Sequence, residues 1–361
     1  PFLQLYTSGT TGMPKGVVLS HANGTSMRPI LQENNVYWYC AEPGSSLILA
    51  MPYGHIAGVG SACGAMLSGQ ELIIHAEFDP ALAISDIRDH QVEWIFLVPA
   101  AIRILLSHPD AEGADFSSIK GLTYGASPIP LDLLKEGVER LKCEFAQLYG
   151  MTETYGTVST LPPDDHRPGR EKVMRSAGKA LPGNEIRILD ENLEPLPPGQ
   201  IGEVAIKGPT VMLGYWNRPE ETAKTLIGDG WLRTGDAGIL DEEGYLYIQD
   251  RIKDMIISGG ENIYPAEVES ALFGHEDVAD VAVIGVPDEK WGEAVKAVVV
   301  AKPGTSPDPD AIIAHARERI AGFKCPKTVD FVEALPRNPS GKILRRELRA
   351  PHWKGRERGV N

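Results

Sequence analysis

A chain of 361 residues is longer than one ordinary domain, so a large domain with a smaller companion is expected. With 42% apolar and 23% charged residues it is neither a fibre nor a disordered chain, and a formal charge of −14 argues against a general nucleic-acid surface, which carries a basic excess. The four cysteines, Cys40, Cys63, Cys143 and Cys325, form no C-x-x-C pair, which removes the usual zinc and redox spacings and fits a reducing cytoplasm.

The chain opens without Met inside a strand-like run, Phe2-Leu3-Gln4-Leu5-Tyr6, which leads us to expect that earlier sequence of a large domain is absent. Up to Tyr149, short apolar runs (47–50, 72–74, 94–98, 122–124) alternate with helical patterns at Ala81 to His90 and Pro99 to His108, the signature of βα units on a parallel sheet. Asp79 and Pro99 stand near the helix starts. From Ser176 the texture changes to strands punctuated by turns: 185–189, 203–207 and 245–248, with Pro197-Pro198-Gly199 and Asp241-Glu242-Glu243-Gly244 between them. Beyond Arg251 a mixed pattern of roughly 110 residues follows, helical at 265–273 and 308–321, extended at 278–286, 294–301 and 329–332. The expected fold is therefore α/β, with an α/β part over 1–175, a β-rich subdomain over 176–250 and a small α+β domain over 251–361. No apolar run is long enough to cross a bilayer. The last forty residues, Gly322 to Asn361, carry ten Lys/Arg against four acids, which suits either a small polyanion or a solvated tail.

The strongest local signal is Tyr6-Thr7-Ser8-Gly9-Thr10-Thr11-Gly12-Met13-Pro14-Lys15-Gly16. Glycines let backbone N–H groups approach a phosphate, hydroxyls add donors, and Lys15 adds positive charge. It is not a Walker A loop, because two residues separate Gly9 from Gly12 and Gly16 follows Lys15. Pro14 disfavours helical geometry at Met13, so a mobile loop is expected rather than a helix cap.

Four further motifs follow in order: Tyr149-Gly150-Met151-Thr152-Glu153, Gly230-Trp231-Leu232-Arg233-Thr234-Gly235-Asp236, Asp250-Arg251-Ile252-Lys253-Asp254 and Pro339-Ser340-Gly341-Lys342. Together with the first loop they resemble the adenylate-forming superfamily of acyl-CoA synthetases, peptide-synthetase adenylation domains and beetle luciferases, over essentially the whole chain. The resemblance implies an enzyme that binds ATP and Mg²⁺, joins a carboxylic acid to AMP, and passes the acyl group to coenzyme A. It implies roles by position. Thr7, Ser8, Gly9, Thr10, Thr11 and Gly12 would hold the β- and γ-phosphates with Lys15. Tyr149, beside Gly150, would stack on adenine, with Gly125-Ala126-Ser127 on the other face and Gln147 at its edge. Thr152 would touch the α-phosphate, Glu153 with Thr7 would hold Mg²⁺, and Asp236 and Arg251 would bind the ribose. Lys342 would bridge carboxylate and α-phosphate. The small domain would be mobile, turning about Lys253 and bringing Ser258, Gly259 and Gly260 to the coenzyme A channel.

His55 matches the family's position beside the acyl carboxylate, with Gly58 expected in the same acyl pocket; Gly58, Gly60, Ala62, Gly64 and Ala65 leave either pocket volume or room for helix packing. Ile257 stands where luciferases carry a lysine, and Pro52 to Gly58 offers no Asp to pair an amino group, which disfavours a peptide-synthetase module. The run Ser258 to Glu269 looks most like medium- to long-chain fatty acyl-CoA ligases, so a fatty acid is the expected substrate. An acyl-adenylate former with another acceptor, and an inactive nucleotide-binding fragment, are the competing readings.

Overall fold

The computed structural model describes residues 1–7, 13–39, 42–338 and 341–355. The chain divides into two units, one comprising Pro1–Thr234 and Ile239–Ile248, the other Gly235–Gly238 and Gln249–Asn361.

In the first unit, β1 (Leu3–Thr7) and β2 (Lys15–Leu19) form an antiparallel pair in which Thr7 faces Lys15. Two short helices, α1 (His21–Thr25) and α2 (Met27–Glu33), follow. Strands and helices then alternate: β3 (Ser46–Leu49), α3 (Ile56–Ser68), β4 (Glu71–Ile74), α4 (Pro80–His90), β5 (Trp94–Leu97), α5 (Pro99–Ser107), β6 (Gly121–Gly125), α6 (Leu131–Leu141) and β7 (Glu144–Met151). With β8 (Gly156–Leu161) and β9 (Lys179–Ala180) these strands make a seven-stranded sheet of order β4-β3-β5-β6-β7-β8-β9. Strands β3 to β7 are mutually parallel, as the βα pattern predicts, and β8 and β9 add antiparallel. The helices start where local chemistry favours it. Asp79 caps α4 by accepting from Leu82 N at 3.0 Å, and Pro80 and Pro99 occupy first helical positions that have no N–H to satisfy. Central strands buried on both faces explain the continuous apolar runs. Ile95, Leu97, Leu122 and Phe145 of the sheet pack under Ile87, Ile102, Leu105 and Leu134 of the helices.

The β-rich part comprises β10 (Glu185–Leu189), β11 (Gly202–Lys207), β12 (Gly214–Tyr215), helix α7 (Pro219–Thr225), β13 (Leu226–Ile227), β14 (Trp231–Leu240) and β15 (Leu246–Arg251). One sheet runs β10-β11-β14-β13, with β15 beside β14, whereas β12 joins β1 and β2 in the order β1-β2-β12.

The second unit holds β16 (Ile256–Ser258), β17 (Glu261–Ile263), α8 (Pro265–Phe273), β18 (Val278–Asp288), β19 (Gly292–Ala301), α9 (Pro309–Arg317), β20 (Thr328–Phe331) and α10 (Arg345–Arg349). Its sheet runs β17-β16-β19-β18, with β20 parallel to β19. Period-two burial sorts β18 between two cores: Val281 and Val283 join Val268, Leu272 and Ile312, while Ala282 and Ile284 join Val298 and Leu335. The expected helix over 308–321 is shorter; its last turn tightens as Arg319 N donates to Ala316 O at 2.9 Å. No helix among the described residues is long and apolar enough to cross a membrane.

Candidate active site

The first cluster lies in the first unit at the mouth of the glycine-rich loop. The β1–β2 register places Thr7 and Lys15 at its two ends; Ser8, Gly9, Thr10, Thr11 and Gly12 lie outside the described residues. The Lys15 ammonium sits 5.0 Å above the Tyr215 ring and 4.0 Å from Glu221 Oε2. Tyr215 reaches this place because β12 pairs with β2, setting it opposite Val17. Its hydroxyl donates to Glu153 Oε1 at 3.0 Å, so one aromatic side chain touches both the loop lysine and the carboxylate expected to hold a metal.

Thr152 and Glu153 form a single 3₁₀ turn between β7 and β8, and both are buried. Thr154 fixes that turn: its hydroxyl oxygen accepts from Met151 N at 3.1 Å and its proton can go to Met151 O at 3.0 Å or Gly156 O at 2.8 Å. The Glu153 carbonyl accepts from Met212 N at 2.8 Å. A buried acid held in this way is costly unless something cationic shares the site. Magnesium fits, because it takes one or two carboxylates and completes its shell with phosphate oxygens and water.

The second cluster is built by strand spacing. Gly125 ends β6 opposite Leu148 of its parallel neighbour β7, so Gly125-Ala126-Ser127 and Gln147, Tyr149 and Gly150 meet at the carboxyl ends of adjacent strands. This is the usual ligand crevice of open α/β sheets. A Cβ on Gly125 would lie 2.2 Å from Leu148 O, and one on Gly150 would lie 1.7 Å from Gly156 O. Both positions exclude any side chain because backbone already fills the space. Ala126 takes φ +67°, a left-handed conformation unusual without glycine. The Tyr149 ring is half-buried against Val158, Ala177 and Ile188, and the Gln147 carbonyl accepts from Thr160 Oγ1 at 2.8 Å.

His55 caps α3, its Nδ1 accepting from Ala57 N at 3.2 Å. Gly58 is buried one turn on, where a Cβ would meet Pro52 O at 2.2 Å. Its missing side chain is used by the 52–55 turn and contributes no pocket volume, whereas Gly64 has open space around it.

In the second unit, Arg251 Nε lies 2.7 Å from Asp236 Oδ1, bringing the two expected ribose ligands together. Asp250 and Asp254 of the same motif do different work. Arg345 donates to both oxygens of Glu269, at 2.8 and 2.6 Å, and lies 3.6 Å from Asp250 and 3.9 Å from Asp254. Arg349 adds a contact to Asp254 at 3.3 Å and donates to the Lys253 carbonyl at 3.4 Å. Desolvation raises the carboxyls of Asp250 and Glu269 even though Arg345 pulls them back. Desolvation, outweighing Asp254, lowers Lys253. Lys342 has an exposed surface overall, but its ammonium is crowded. Desolvation first and the Arg251 charge second push it down to about 8, with Asp236 opposing them. Of its motif, Pro339 and Ser340 lie outside the described residues.

Ser258, Gly259 and Gly260 form the tight turn between β16 and β17, with φ +63° and +88° at the two glycines, as such two-residue hairpins require. Gly259 N donates to Trp291 O at 2.8 Å, and a Cβ on Gly259 would lie 2.7 Å from the Trp291 ring. Tyr215, Glu221, Arg345 and Trp291 were not legible as site residues. Each is brought in by strand pairing, ion pairing or a backbone contact across 32 or more positions, and of the charge hub only Asp250 and Asp254 stood in a motif.

The sheet with its crevice in the first unit, and the lysine-bearing turn in the second, each fit an ATP-dependent adenylate-forming ligase. The chain belongs to the AMP-binding enzyme family: that family's model matches residues 1–216, and the AMP-binding enzyme C-terminal domain matches 267–342. It is 44% identical to the fatty acid–[acyl-carrier-protein] ligase ScoC of Streptomyces coeruleorubidus, over 100% of this chain and 69% of that protein. Among solved structures, the amide bond synthetase McbA from Marinactinospora thermotolerans superposes with a TM-score of 0.86 at 34% identity, covering 96% of this chain and 68% of that one. The o-succinylbenzoate coenzyme A synthetase MenE from Bacillus subtilis, in complex with ATP and magnesium ion, gives 0.84 at 36% identity, covering 96% and 69%.

Proposed function

We propose that this enzyme activates a medium- or long-chain fatty acid as acyl-AMP and transfers the acyl group to coenzyme A in the cytoplasm. The observation that carries the reading is the Lys15–Tyr215–Glu153 cluster, a loop cation and a buried carboxylate on one aromatic side chain, at the end of a strand beside the crevice.

A carboxylate is a poor acyl donor because resonance and charge blunt its carbon. In the first step its oxygen attacks the α-phosphorus of ATP, and pyrophosphate leaves with the bonding pair. Thr7 to Gly12 and Lys15 hold the β- and γ-phosphates. Tyr149 and the Gly125–Ser127 turn sandwich adenine, Gln147 meets its edge, and Asp236 and Arg251 hold the ribose. Thr152 touches the α-phosphate, and Lys342 bridges it to the acid, neutralising charge as the bond forms. Glu153 with Thr7 holds magnesium, which when bound offsets the phosphate charge. His55 stands at the acyl carboxylate, with Gly58 shaping the turn behind it. In the second step the coenzyme A sulfur attacks the acyl carbon, AMP leaves, and the thiol proton passes to solvent. We take 1–175, 176–250 and 251–361 as the working domains, the last turning about Lys253 so that Ser258, Gly259 and Gly260 border the pantetheine arm.

A second acceptor, the pantetheine thiol of a carrier protein, is favoured by the similarity to ScoC, 44% identical over the whole of this chain and 69% of that protein. ATP–pyrophosphate exchange with short-, medium- and long-chain fatty acids and aromatic acids tests the acid. Thioester formation with coenzyme A against a holo carrier protein tests the acceptor. Exchange with aromatic acids alone removes the fatty-acid assignment; thioester on the carrier protein alone removes coenzyme A.

A further inference from the structure

We propose that Arg337 is a positioning residue for adenylation, a two-armed brace that holds the Lys342 turn against the sheet of the second unit. This rests on reading Lys342 as the adenylating lysine. One arm, Nη1, donates to the Gly341 carbonyl at 2.6 Å, in the peptide that links Gly341 to Lys342. The other, Nη2, donates to Asp280 Oδ2 at 2.7 Å on β18.

Arg337 adds a tie to the sheet to a turn that also carries short-range bonds. Asn338 N donates to Lys342 O at 3.0 Å, Lys342 N to Asn338 Oδ1 at 2.9 Å, and Gly341 N to Asn338 O at 2.8 Å. Its base is apolar: Leu335 is buried against Ala282, Ile284 and Val298, and Ile343 packs beside them. Those contacts leave a lever between base and tip, and Gly341 at φ +81° offers little stiffness of its own. Arg337 crosses that lever. Its fork reaches a carbonyl and a carboxylate at once, which a lysine's single nitrogen does less well.

The pair with Asp280 is about one-third exposed on each side, so it contributes little to folding. What it sets is where the Lys342 ammonium rests. A displacement of about 1 Å in a charge that must meet the transition state costs roughly 100-fold in rate, so loss of the brace should be visible in chemistry before it is visible in stability.

The test uses Arg337→Gln, Arg337→Lys, Lys342→Ala and the double variant Arg337→Gln/Lys342→Ala in the full chain. Pyrophosphate exchange, thioester formation from supplied acyl-AMP, KM for ATP and melting temperature are measured on each. The brace predicts that Arg337→Gln lowers the exchange kcat roughly 10- to 100-fold, with KM within about three-fold and melting within a few degrees. Transfer from supplied acyl-AMP should be unchanged, and Arg337→Lys should fall between. In the Lys342→Ala background the second substitution should cost nothing more, because the residue it positions is gone. Equal losses in both half-reactions, or a further loss in the double variant, would show a general structural role and overturn the brace. Intact exchange in Arg337→Gln beside a crippled Lys342→Ala would also overturn it while leaving the lysine's role standing. Intact exchange in Lys342→Ala would remove that role and the brace together.

Discussion

Replacing Arg345 by Met should destabilise the second unit in a way that depends on pH. Arg345 is the shared cation of three carboxylates, bidentate on Glu269 and within 3.6 and 3.9 Å of Asp250 and Asp254. Methionine keeps much of the side-chain volume and removes the charge. Backbone donors remain, from Val283 to Glu269 and from Arg251 and Ala266 to Asp250, and Arg349 still serves Asp254. What is lost is the charge that offsets burial, and breaking such a buried network costs about 3–5 kcal/mol. For a unit of roughly 110 residues, with an unfolding entropy of about 2 cal/mol/K per residue, that is a fall in melting temperature on the order of 10–20 °C. The sign with pH follows from the direction of the shifts. Asp250 and Glu269 are already raised by desolvation, and without Arg345 they rise further. A raised carboxyl contributes its full stability below the unfolded carboxylate value near 4 and loses it as pH rises through the folded value. The defect of Arg345→Met should therefore be large at pH 7.5 and shrink towards pH 5. Calorimetry of the full chain at both values measures it. A shift below about 2 °C, or the same shift at both, would refute the idea that uncompensated carboxylates are the cause.

Lys342→Ala should lower pyrophosphate exchange roughly 10²–10³-fold while sparing transfer from supplied acyl-AMP; equal loss in both steps would make the lysine structural. Because Lys342 sits at about 8, the wild-type exchange rate should fall as pH rises through that value, and a profile flat to pH 9.5 would contradict it. Tyr215→Phe removes the hydroxyl that orients Glu153 and should weaken magnesium–ATP binding about 10-fold by calorimetric titration, with no change for ATP in excess chelator. Gly259→Leu should lower melting by the equivalent of about 1–2 kcal/mol, since its φ of +63° and the Trp291 ring leave no relaxed place for a side chain. Unchanged melting there would mean that the turn adapts.

The large features were legible because they are local. Continuous apolar runs at Leu47 to Ala50 and Trp94 to Val98 could only be strands buried on both faces, and β3 and β5 stand there. Apolar runs did the same for β18 and β19. The strand Lys15–Leu19 was hidden because its first two residues are the lysine and glycine of the loop motif, which leaves an apolar run of only three residues, Val17 to Leu19. Tyr215 and Arg345 were hidden for a different reason. Glu153 lies 62 positions from Tyr215, and Glu269 lies 76 from Arg345, so their meeting depends on strand order and helix docking that no window of sequence encodes.

The glycines carry a more general point about reading motifs. A glycine in a ligand-binding motif invites the explanation that backbone must approach ligand, yet at Gly58, Gly125 and Gly150 the space a Cβ would take is already held by the chain's own carbonyls, at 2.2, 2.2 and 1.7 Å. These positions act on the crevice at one remove. Gly58 lets α3 close on the 52–55 turn, whereas Gly125 and Gly150, by letting β6 lie against β7 and β7 against the start of β8, set the separation between the Gly125–Ser127 turn and the Tyr149 strand. A planar base between two faces tolerates little error in that spacing. Substituting Gly125 or Gly150 therefore moves walls and does not obstruct the ligand directly, so the loss should appear as weakened nucleotide binding together with lowered stability.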